Sequence, residues 1–308
     1  MRILTFVLAG SLLGVACTPA QSAAAPEPRS PEPSPTATAA ATLSQPAPTV
    51  VPSIAPTAPP LTAPPLTAPP LTARPSTPAP ATAQPTSGAR AYRTLPVGAT
   101  LPSEAQCANE IVRDTWEPRP DNRAANQTNA WTNGFRLQGS YLATIASGYQ
   151  ERVTGNFTGT TDQILRWAAC KWGFDEDDVR AQAVTESYWR QSLLSDCGVT
   201  AQPQANGCAS MGIMSVKGAD IPATHPGTWP AAYQSTAFNV DYALAVRRLC
   251  FDGKETWQKQ FNSAYGAGDV WGCIGRWFSG RWHDASADTY ITRVRSTMTA
   301  RTWLSSGF

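Results

Sequence analysis

The chain has 308 residues, a net charge of +2 at pH 7 and only 15% charged residues. This balance argues against a nucleic-acid-binding protein, which normally presents a strongly basic surface. Residues 18–90 contain 20 of the 28 prolines and no aromatic residue, whereas residues 91–308 contain all 11 tryptophans and all 8 tyrosines. A segment without aromatic side chains buries too little apolar surface to offset the entropy lost on ordering. We therefore predict that the folded part of the protein is residues 91–308.

The first 17 residues have the features of an export signal. A positive start at Arg2 precedes an apolar run of 14 residues from Ile3 to Ala16, which is too short to span a bilayer but typical of a signal peptide. The run ends in Leu-Gly-Val-Ala-Cys, which resembles a bacterial lipobox with Gly14 where leucine is usual. We predict that Cys17 carries a lipid anchor, the only membrane contact. Plain secretion with cleavage nearby stays open.

Residues 18–90 are predicted to form a disordered linker rich in proline, alanine and threonine. The sequence Ala-Pro-Pro-Leu-Thr occurs three times in succession from Ala58, and a decayed copy follows at Ala73. Proline-rich tracts favour an extended polyproline II conformation, so this linker would reach on the order of 200 Å. Such a tether would hold the folded part away from a membrane and let it sample a thick cell wall. A passive stalk of no set length is the alternative.

Six cysteines remain in residues 91–308 once Cys17 is set aside. An even number in an exported chain predicts up to three disulfides, although six cysteines allow about 15 connectivities and the sequence alone does not choose among them. A zinc site is not expected, because the chain has no Cys-x-x-Cys pair and His225 and His283 stand alone. The connectivity that we favour pairs Cys197 with Cys208 around a polar loop, Cys250 with Cys273, and Cys107 with Cys170.

The folded part is predicted to be mainly α-helical. Thr160 and Gly173 are suitable start and stop signals for the first helix, and Asp175 is a good N-cap for the second. Strand signals are few, and residues 195–230 are expected to be mostly loop because they are rich in glycine, proline and asparagine. Residues 91–159 are treated as an N-terminal extension without an assigned role. Apolar periodicity predicts helices over residues 160–174, 175–191, 236–250, 269–278 and 286–303.

Glu186 is the candidate catalytic residue. Helical spacing places it on the same face as Val179 and Ala183, so its carboxyl points the way the apolar side chains point. Burial and the negative end of a helix both raise the pKa of a carboxyl group. A carboxyl that stays protonated near neutral pH is what a general acid requires. A surface glutamate at the rim of the apolar face is the alternative.

The residues around Glu186 resemble a known family. Glu186-Ser187 at the end of a helix, a loop, and the segment Ser210–Met214 resemble the catalytic domain of the soluble lytic transglycosylases, which has a lysozyme-like fold. Ser215 stands where the family usually has glutamine, and residues 276–280 lack the asparagine that the family carries there. The segment around Tyr290 resembles the late family segment whose tyrosine contacts the catalytic glutamate. The resemblance covers about residues 160–300, so we expect a lysozyme-like catalytic domain over residues 160–308.

The resemblance implies cleavage of peptidoglycan glycan strands between N-acetylmuramic acid and N-acetylglucosamine. One glutamate, Glu186, would act as acid and then as base, Tyr290 would orient it, and the product would carry a 1,6-anhydro ring. No cofactor, metal or nucleic acid is expected, and we expect a monomer. The segment of Met211, Gly212, Ile213 and Met214 would form one wall of the cleft through backbone and apolar contacts. The other expected substrate contacts are Ser187, Trp189, Trp277 and Phe278.

The sequence leaves two other functions open and disfavours two more. Hydrolysis on the same fold would need a second carboxylate across the cleft, and Asp196 and Asp220 are the candidates. A non-catalytic wall-binding lipoprotein of the same fold stays open, because two family positions differ. A cysteine peptidase is disfavoured because the six cysteines pair evenly, and a serine hydrolase because the Gly-x-Ser-x-Gly pattern is missing.

Overall fold

The computed structural model describes residues 92–198, 206–221 and 223–308. The predicted export signal with Cys17 and the predicted linker lie outside these residues. Within them helices dominate, which confirms the mainly α class. In this part of the chain no helix is both long enough and apolar enough to cross a membrane.

The order of the elements positions the site. Five of the described helices have ten or more residues, and three short strands follow the second of these five. Single 3-10 turns occur at Pro120–Asn122, Thr256–Gln260 and Thr302–Leu304. The elements are α1 (Glu104–Glu110), α2 (Arg123–Asn126), α3 (Tyr141–Ile145), α4 (Thr161–Trp172), α5 (Glu176–Ser187), β1 (Leu194–Cys197), β2 (Cys208–Met211), β3 (Val216–Lys217), α6 (Ala231–Gln234), α7 (Thr236–Phe251), α8 (Val270–Ser279) and α9 (Ala285–Ala300).

Helix α4 begins and ends where its sequence signals place it. The Thr160 side chain accepts from the backbone N–H of Gln163, and the Gln163 side chain accepts from the backbone of Thr160 in return. This capping box satisfies N–H groups that have no partner inside the helix. Gly173 ends the helix in the left-handed conformation with φ 64°, which glycine adopts without steric cost.

Helix α5 is shorter than the predicted 175–191. Asp175 caps its start by accepting from the N–H of Asp177. The helix ends at Ser187, because Tyr188 and Trp189 take left-handed backbone angles with φ 57° and 61°. The early end leaves Glu186 in the last turn. Tyrosine and tryptophan are not residues that favour this conformation. The reversed backbone is bound from elsewhere in the chain, since the Tyr188 carbonyl accepts from Arg119 Nε at 2.8 Å and the Trp189 carbonyl accepts from Asn122 Nδ2 at 2.7 Å.

Helix α7 forms the centre of the core. Every residue from Thr236 to Phe251 is buried, and α4 and α8 pack against it. Helix α9 packs against both α5 and α8. The three predictions over residues 236–250, 269–278 and 286–303 are confirmed within a few residues.

A buried ionic cluster joins α4, α7 and the segment before α4. The Asp241 carboxylate in α7 accepts from Lys171 Nζ at 2.8 Å and from Trp172 Nε1 at 2.7 Å. It also accepts from the backbone N–H groups of Thr154 and Gly155, both at 2.9 Å. A buried charge is tolerated only when it is paired and hydrogen-bonded, so these donors stabilise the carboxylate inside the core.

The loop prediction for residues 195–230 is corrected in part. The described residues of this region include a three-stranded antiparallel sheet in the order β1-β2-β3, with Leu194 opposite Met211 and Ser210 opposite Lys217. The strands have only two to four residues each, too short for the alternating pattern that predicts a strand.

The described residues contain the disulfides Cys107–Cys170, Cys197–Cys208 and Cys250–Cys273. This is the connectivity favoured from the sequence, and it is confirmed.

Candidate active site

Glu186 lines a cleft of about 440 Å³ whose walls come from helices α5, α8 and α9 and from the sheet. Helices α8 and α9 contribute Trp277, Phe278, Tyr290 and Arg293 to its walls. The sheet and the turns beside it contribute Ser195, Asp196, Ser210, Ser215 and Lys217. Two predicted substrate contacts, Trp277 and Phe278, and both predicted catalytic residues therefore lie in one cleft.

The Glu186 carboxyl is half-buried and hydrogen-bonded. The hydroxyl of Tyr290 donates to its Oε1, and Tyr290 itself is 1% exposed. Burial raises the pKa of Glu186 to about 7, while the hydrogen bond from Tyr290 and the positive charge of Arg293 act in the opposite direction. Burial and the nearby carboxylate raise the pKa of Tyr290 well above its usual value. Tyr290 therefore remains a hydrogen-bond donor at any physiological pH.

Aromatic and cationic contacts hold Tyr290 in place. The ring of Phe278 stacks on it with centroids 4.8 Å apart and planes within 3°. The Arg293 guanidinium lies 5.5 Å from the Tyr290 ring centroid and 5.3 Å from that of Phe278. Phe278 is 51% exposed, so one side of this stack is open to a ligand. Sequence reasoning missed Arg293, although it follows Tyr290 by three residues and such spacing places both on one helix face.

The Trp277 ring is held by a hydrogen bond from its indole nitrogen and by stacking along one face. Its Nε1 donates to the Met214 carbonyl at 3.0 Å, and its ring stacks on His225 with centroids 5.2 Å apart and planes within 13°. The residue is half-buried and lines the cleft. A tryptophan held this way presents a rigid apolar surface, which suits the apolar face of a sugar ring.

Asp196 is the other carboxylate of the cleft. Ser210 Oγ donates to its Oδ2 at 2.6 Å, and Lys217 Nζ lies 3.7 Å from the same oxygen. Its negative charge contributes to the raised pKa of Glu186. Asp220, the second candidate partner, accepts instead from the backbone N–H and the hydroxyl of Thr224 and does not line the cleft.

Two predicted substrate contacts lie behind the cleft rather than in it. Trp189 has no exposed surface, and its Nε1 donates to the Arg180 carbonyl at 3.0 Å, so its ring packs in the core and does not meet a ligand. Ser187 is buried, and its hydroxyl donates to the Ile213 carbonyl at 2.8 Å. The left-handed residues after α5 turn Trp189 inward, which corrects its expected role.

The predicted cleft wall from Met211 to Met214 also lies behind the cleft. The side chains of Met211, Ile213 and Met214 are fully buried. Gly212 has φ 78°, and a Cβ there would lie 2.2 Å from Asn239 Nδ2, so only glycine fits. Asn239 binds the turn by donating to the Met211 carbonyl and accepting from the Met214 N–H, both at 2.9 Å. The segment supports Ser187 and Trp277 from behind. Its apolar side chains do not line the cleft, which corrects the apolar contact expected of them, while the contact expected of its backbone stays a prediction.

In the described ranges no group of three or more His, Cys, Asp or Glu residues could hold a metal ion.

Comparisons with known proteins do not identify this protein. No protein-family model, curated protein or solved structure matches the chain. The chemistry of the cleft is therefore inferred from its own residues.

Proposed function

We propose that this protein cleaves the glycan strands of peptidoglycan with Glu186 as the general acid. The observation that carries the proposal is a half-buried carboxyl with a pKa raised to about 7, in a cleft with aromatic walls. Such a carboxyl is protonated in a large share of molecules at neutral pH and can donate a proton to a glycosidic oxygen.

The family resemblance supports the choice of substrate. Glu186-Ser187, the Met211–Met214 turn and Tyr290 follow one another as in the soluble lytic transglycosylases, and the hydrogen bond from Tyr290 to Glu186 agrees with the role that the resemblance implies. We infer a lysozyme-like fold on the same basis. Three disulfides favour an oxidising compartment, which agrees with a lipoprotein exported to the cell envelope.

The proposed reaction needs one carboxyl group. The Glu186 carboxyl protonates the oxygen between N-acetylmuramic acid and N-acetylglucosamine as the C1–O bond breaks. The resulting carboxylate then takes the proton of the C6 hydroxyl on the muramic acid residue while O6 bonds to C1. Glu186 regains its proton, the product holds a 1,6-anhydro ring, and no water is consumed. Tyr290 stabilises the carboxylate between the two steps through its hydrogen bond.

Hydrolysis on the same cleft is the second candidate, and Asp196 favours it. This carboxylate lines the same cleft as Glu186 and is held by Ser210 and Lys217. In an inverting glycosidase a second carboxylate takes a proton from the water that attacks the opposite face of the sugar. The product would then have an ordinary reducing end and would be heavier than the anhydro product by one water.

The test is digestion of purified peptidoglycan by the full-length protein with its disulfides formed. Wild type, Glu186→Gln and the matched control Glu110→Gln, an exposed glutamate on α1, are compared by mass spectrometry of the released fragments. We expect anhydro fragments from wild type and the control, and a rate about 10²–10⁴-fold lower for Glu186→Gln. Hydrolytic masses would select the second candidate. No release from any variant, with binding retained, would leave a wall-binding protein and overturn the enzyme proposal.

A further inference from the structure

The backbone reversal after α5 is bound by a distant segment of the chain. This segment, residues 116–122, lies before α2 and outside the part that resembles the family, and we call it the support segment. Arg119 Nε donates to the Tyr188 carbonyl at 2.8 Å. Asn122 Nδ2 donates to the Trp189 carbonyl at 2.7 Å. Each of the two residues with left-handed backbone angles is therefore held by a side chain of the support segment.

The Asn122 amide binds the backbone at two points of the reversal. Its Oδ1 accepts from the N–H of Gln191 at 2.9 Å, while its Nδ2 donates to the Trp189 carbonyl and, at 3.0 Å, to the Thr161 hydroxyl. An asparagine amide has two N–H donors and one acceptor oxygen, so these contacts engage both donors and the oxygen. Asn122 is 1% exposed, so water does not compete for these bonds. The course of the backbone from Trp189 to Gln191 is fixed as a result.

Glu117 binds the support segment to the start of α4. Its carboxyl group accepts from the N–H of Thr161 at 2.7 Å, from Asn126 Nδ2 at 2.8 Å and from the N–H of Arg119 at 2.9 Å. Thr161 is the first residue of α4, and its N–H has no partner inside the helix. Since α4 packs against α5, the support segment holds the reversal in a fixed position relative to the core.

Aromatic rings enclose the same reversal. The Trp116 ring meets the Trp189 ring edge to face with centroids 5.9 Å apart, and Phe308 meets Trp189 in the same way at 5.1 Å. The Arg119 guanidinium lies 4.1 Å from the Phe308 ring centroid and 4.7 Å from that of Tyr188. Contacts of this length between a cation and an aromatic face are attractive. Arg119 therefore binds both the carbonyl and the ring of Tyr188.

The reversal is coupled to Glu186 through the last turn of α5. Glu186 precedes Tyr188 by two residues, and the N–H of Tyr188 closes this turn by donating to the Val184 carbonyl at 2.8 Å. Left-handed backbone angles at residues other than glycine persist only where the surrounding structure holds them. Without the support segment the reversal would relax, the last turn would lose its fixed end, and water would reach the Glu186 carboxyl. The burial of this carboxyl therefore depends on residues about 65 positions earlier in the chain.

We propose that Arg119 and Asn122 are positioning residues for Glu186, acting through the reversed backbone of Tyr188 and Trp189. Neither side chain lines the cleft, so neither contacts a substrate there. The inference rests on the proposed function for the role of Glu186. It goes beyond that function by giving the extension before residue 160 a part in catalysis.

The test compares Arg119→Ala and Asn122→Ala with wild type, all as full-length proteins with their disulfides formed. Carbon-13 NMR of protein labelled at the glutamate carboxyl groups measures the midpoint of the Glu186 titration, and Glu186→Gln assigns its signal. We expect this midpoint to move to lower pH by about one pH unit or more in both variants, because water reaches the carboxyl. We expect kcat on peptidoglycan to fall at least about tenfold with KM changed less than about twofold, because a displaced acid loses rate rather than binding.

Two further variants serve as controls. Arg119→Lys keeps the positive charge and a donor, so its kcat and midpoint should lie closer to those of wild type than the values of Arg119→Ala do. Arg123→Ala removes an exposed arginine of α2 that does not line the cleft, and it should leave both values unchanged.

The direction of the midpoint shift separates positioning from a change in charge. Loss of the Arg119 charge would by itself raise the pKa of Glu186, and Asn122→Ala alters no charge, so movement to lower pH reports access of water. A midpoint that stays in place or moves to higher pH in either folded variant would overturn the inference, even where the unfolding temperature falls. If wild type releases no fragments while the midpoints move as expected, the proposed function fails and the positioning of Glu186 stands.

Discussion

The hydroxyl of Tyr290 donates a hydrogen bond to Oε1 of Glu186 across 104 positions of sequence. Two effects oppose each other at this carboxyl group. Burial favours its neutral form, whereas the donated hydrogen bond favours the carboxylate. Burial is the larger effect, and the resulting pKa of about 7 lets the same group give and take a proton near neutral pH. Tyr290 is therefore expected to set the pH range of activity as well as the orientation of Glu186.

The pH dependence of kcat/KM tests this relationship. The reaction needs protonated Glu186 in the free enzyme, so we expect kcat/KM to fall as pH rises through about 7. In Tyr290→Phe the carboxylate loses a donor and the pKa of Glu186 rises further, so the falling limb moves to higher pH. Tyr233→Phe, an exposed tyrosine outside the cleft, is the control. A wild-type kcat/KM that already falls below pH 5 as pH rises would contradict the raised pKa of Glu186.

The unfolding free energy of wild type should depend on pH more steeply than that of Glu186→Gln. The folded-state pKa of Glu186 is raised, so its favourable contribution is present below the unfolded pKa of about 4.3 and is lost as pH rises through about 7. Glutamine stays neutral. We expect wild type to lose about 1–3 kcal/mol relative to Glu186→Gln between pH 4 and pH 8. Urea denaturation with intact disulfides measures the difference, and parallel curves would refute it.

Asp196→Asn distinguishes the two reactions. If Glu186 acts alone, we expect the rate at the optimum to change less than about tenfold, well under the 10²–10⁴-fold of a catalytic base. The falling limb would move to lower pH, because removal of a nearby negative charge lowers the pKa of Glu186. Asp220→Asn, which lies outside the cleft, is the control. A loss of about 10² or more, with hydrolytic fragments from wild type, would make Asp196 the catalytic base.

Two disulfides should affect stability and activity differently. Replacing Cys197 and Cys208 by serine opens a loop with a separation of 11 residues and is expected to cost about 3 kcal/mol of stability. Activity should fall as well, because this bond ties β1 to β2 beside Asp196. Replacing Cys107 and Cys170, separated by 63 residues, is expected to cost about 4 kcal/mol. Urea denaturation and kcat/KM at 20 °C check both, and equal activity losses would show that the first bond has no special role at the cleft.

Lys171→Met tests the buried ionic cluster. The substitution leaves the Asp241 carboxylate in the core without its cation, so we expect a loss of about 3–5 kcal/mol in the free energy of unfolding. Lys254→Met, an exposed lysine, is the control and should change stability by less than about 0.5 kcal/mol. Thermal and urea denaturation are the measurements. Equal effects of the two substitutions would show that the cluster contributes little.

Local signals in the sequence predicted the features that depend on neighbouring residues. The caps of α4 at Thr160 and Gly173 are local, and so is the cap of α5 at Asp175. The role of Trp189 could not be predicted, because its burial depends on a left-handed reversal that contacts far along the chain maintain. The short strands were missed because two to four residues are too few to show an alternating pattern. The contacts of Tyr141 could not be predicted, because its partners Glu255 and Arg276 lie more than a hundred residues away.

The contacts of Asp241 decide where this protein can be divided. Two of its donors, the N–H groups of Thr154 and Gly155, precede the point at which the family resemblance begins. A fragment that started at residue 160 would leave an interior carboxylate short of two hydrogen bonds and would remove Glu104, which lies 3.1 Å from Lys171. The smallest unit suited to excision therefore begins before Glu104. The family resemblance therefore begins at a later residue than the unit that can be expected to fold by itself.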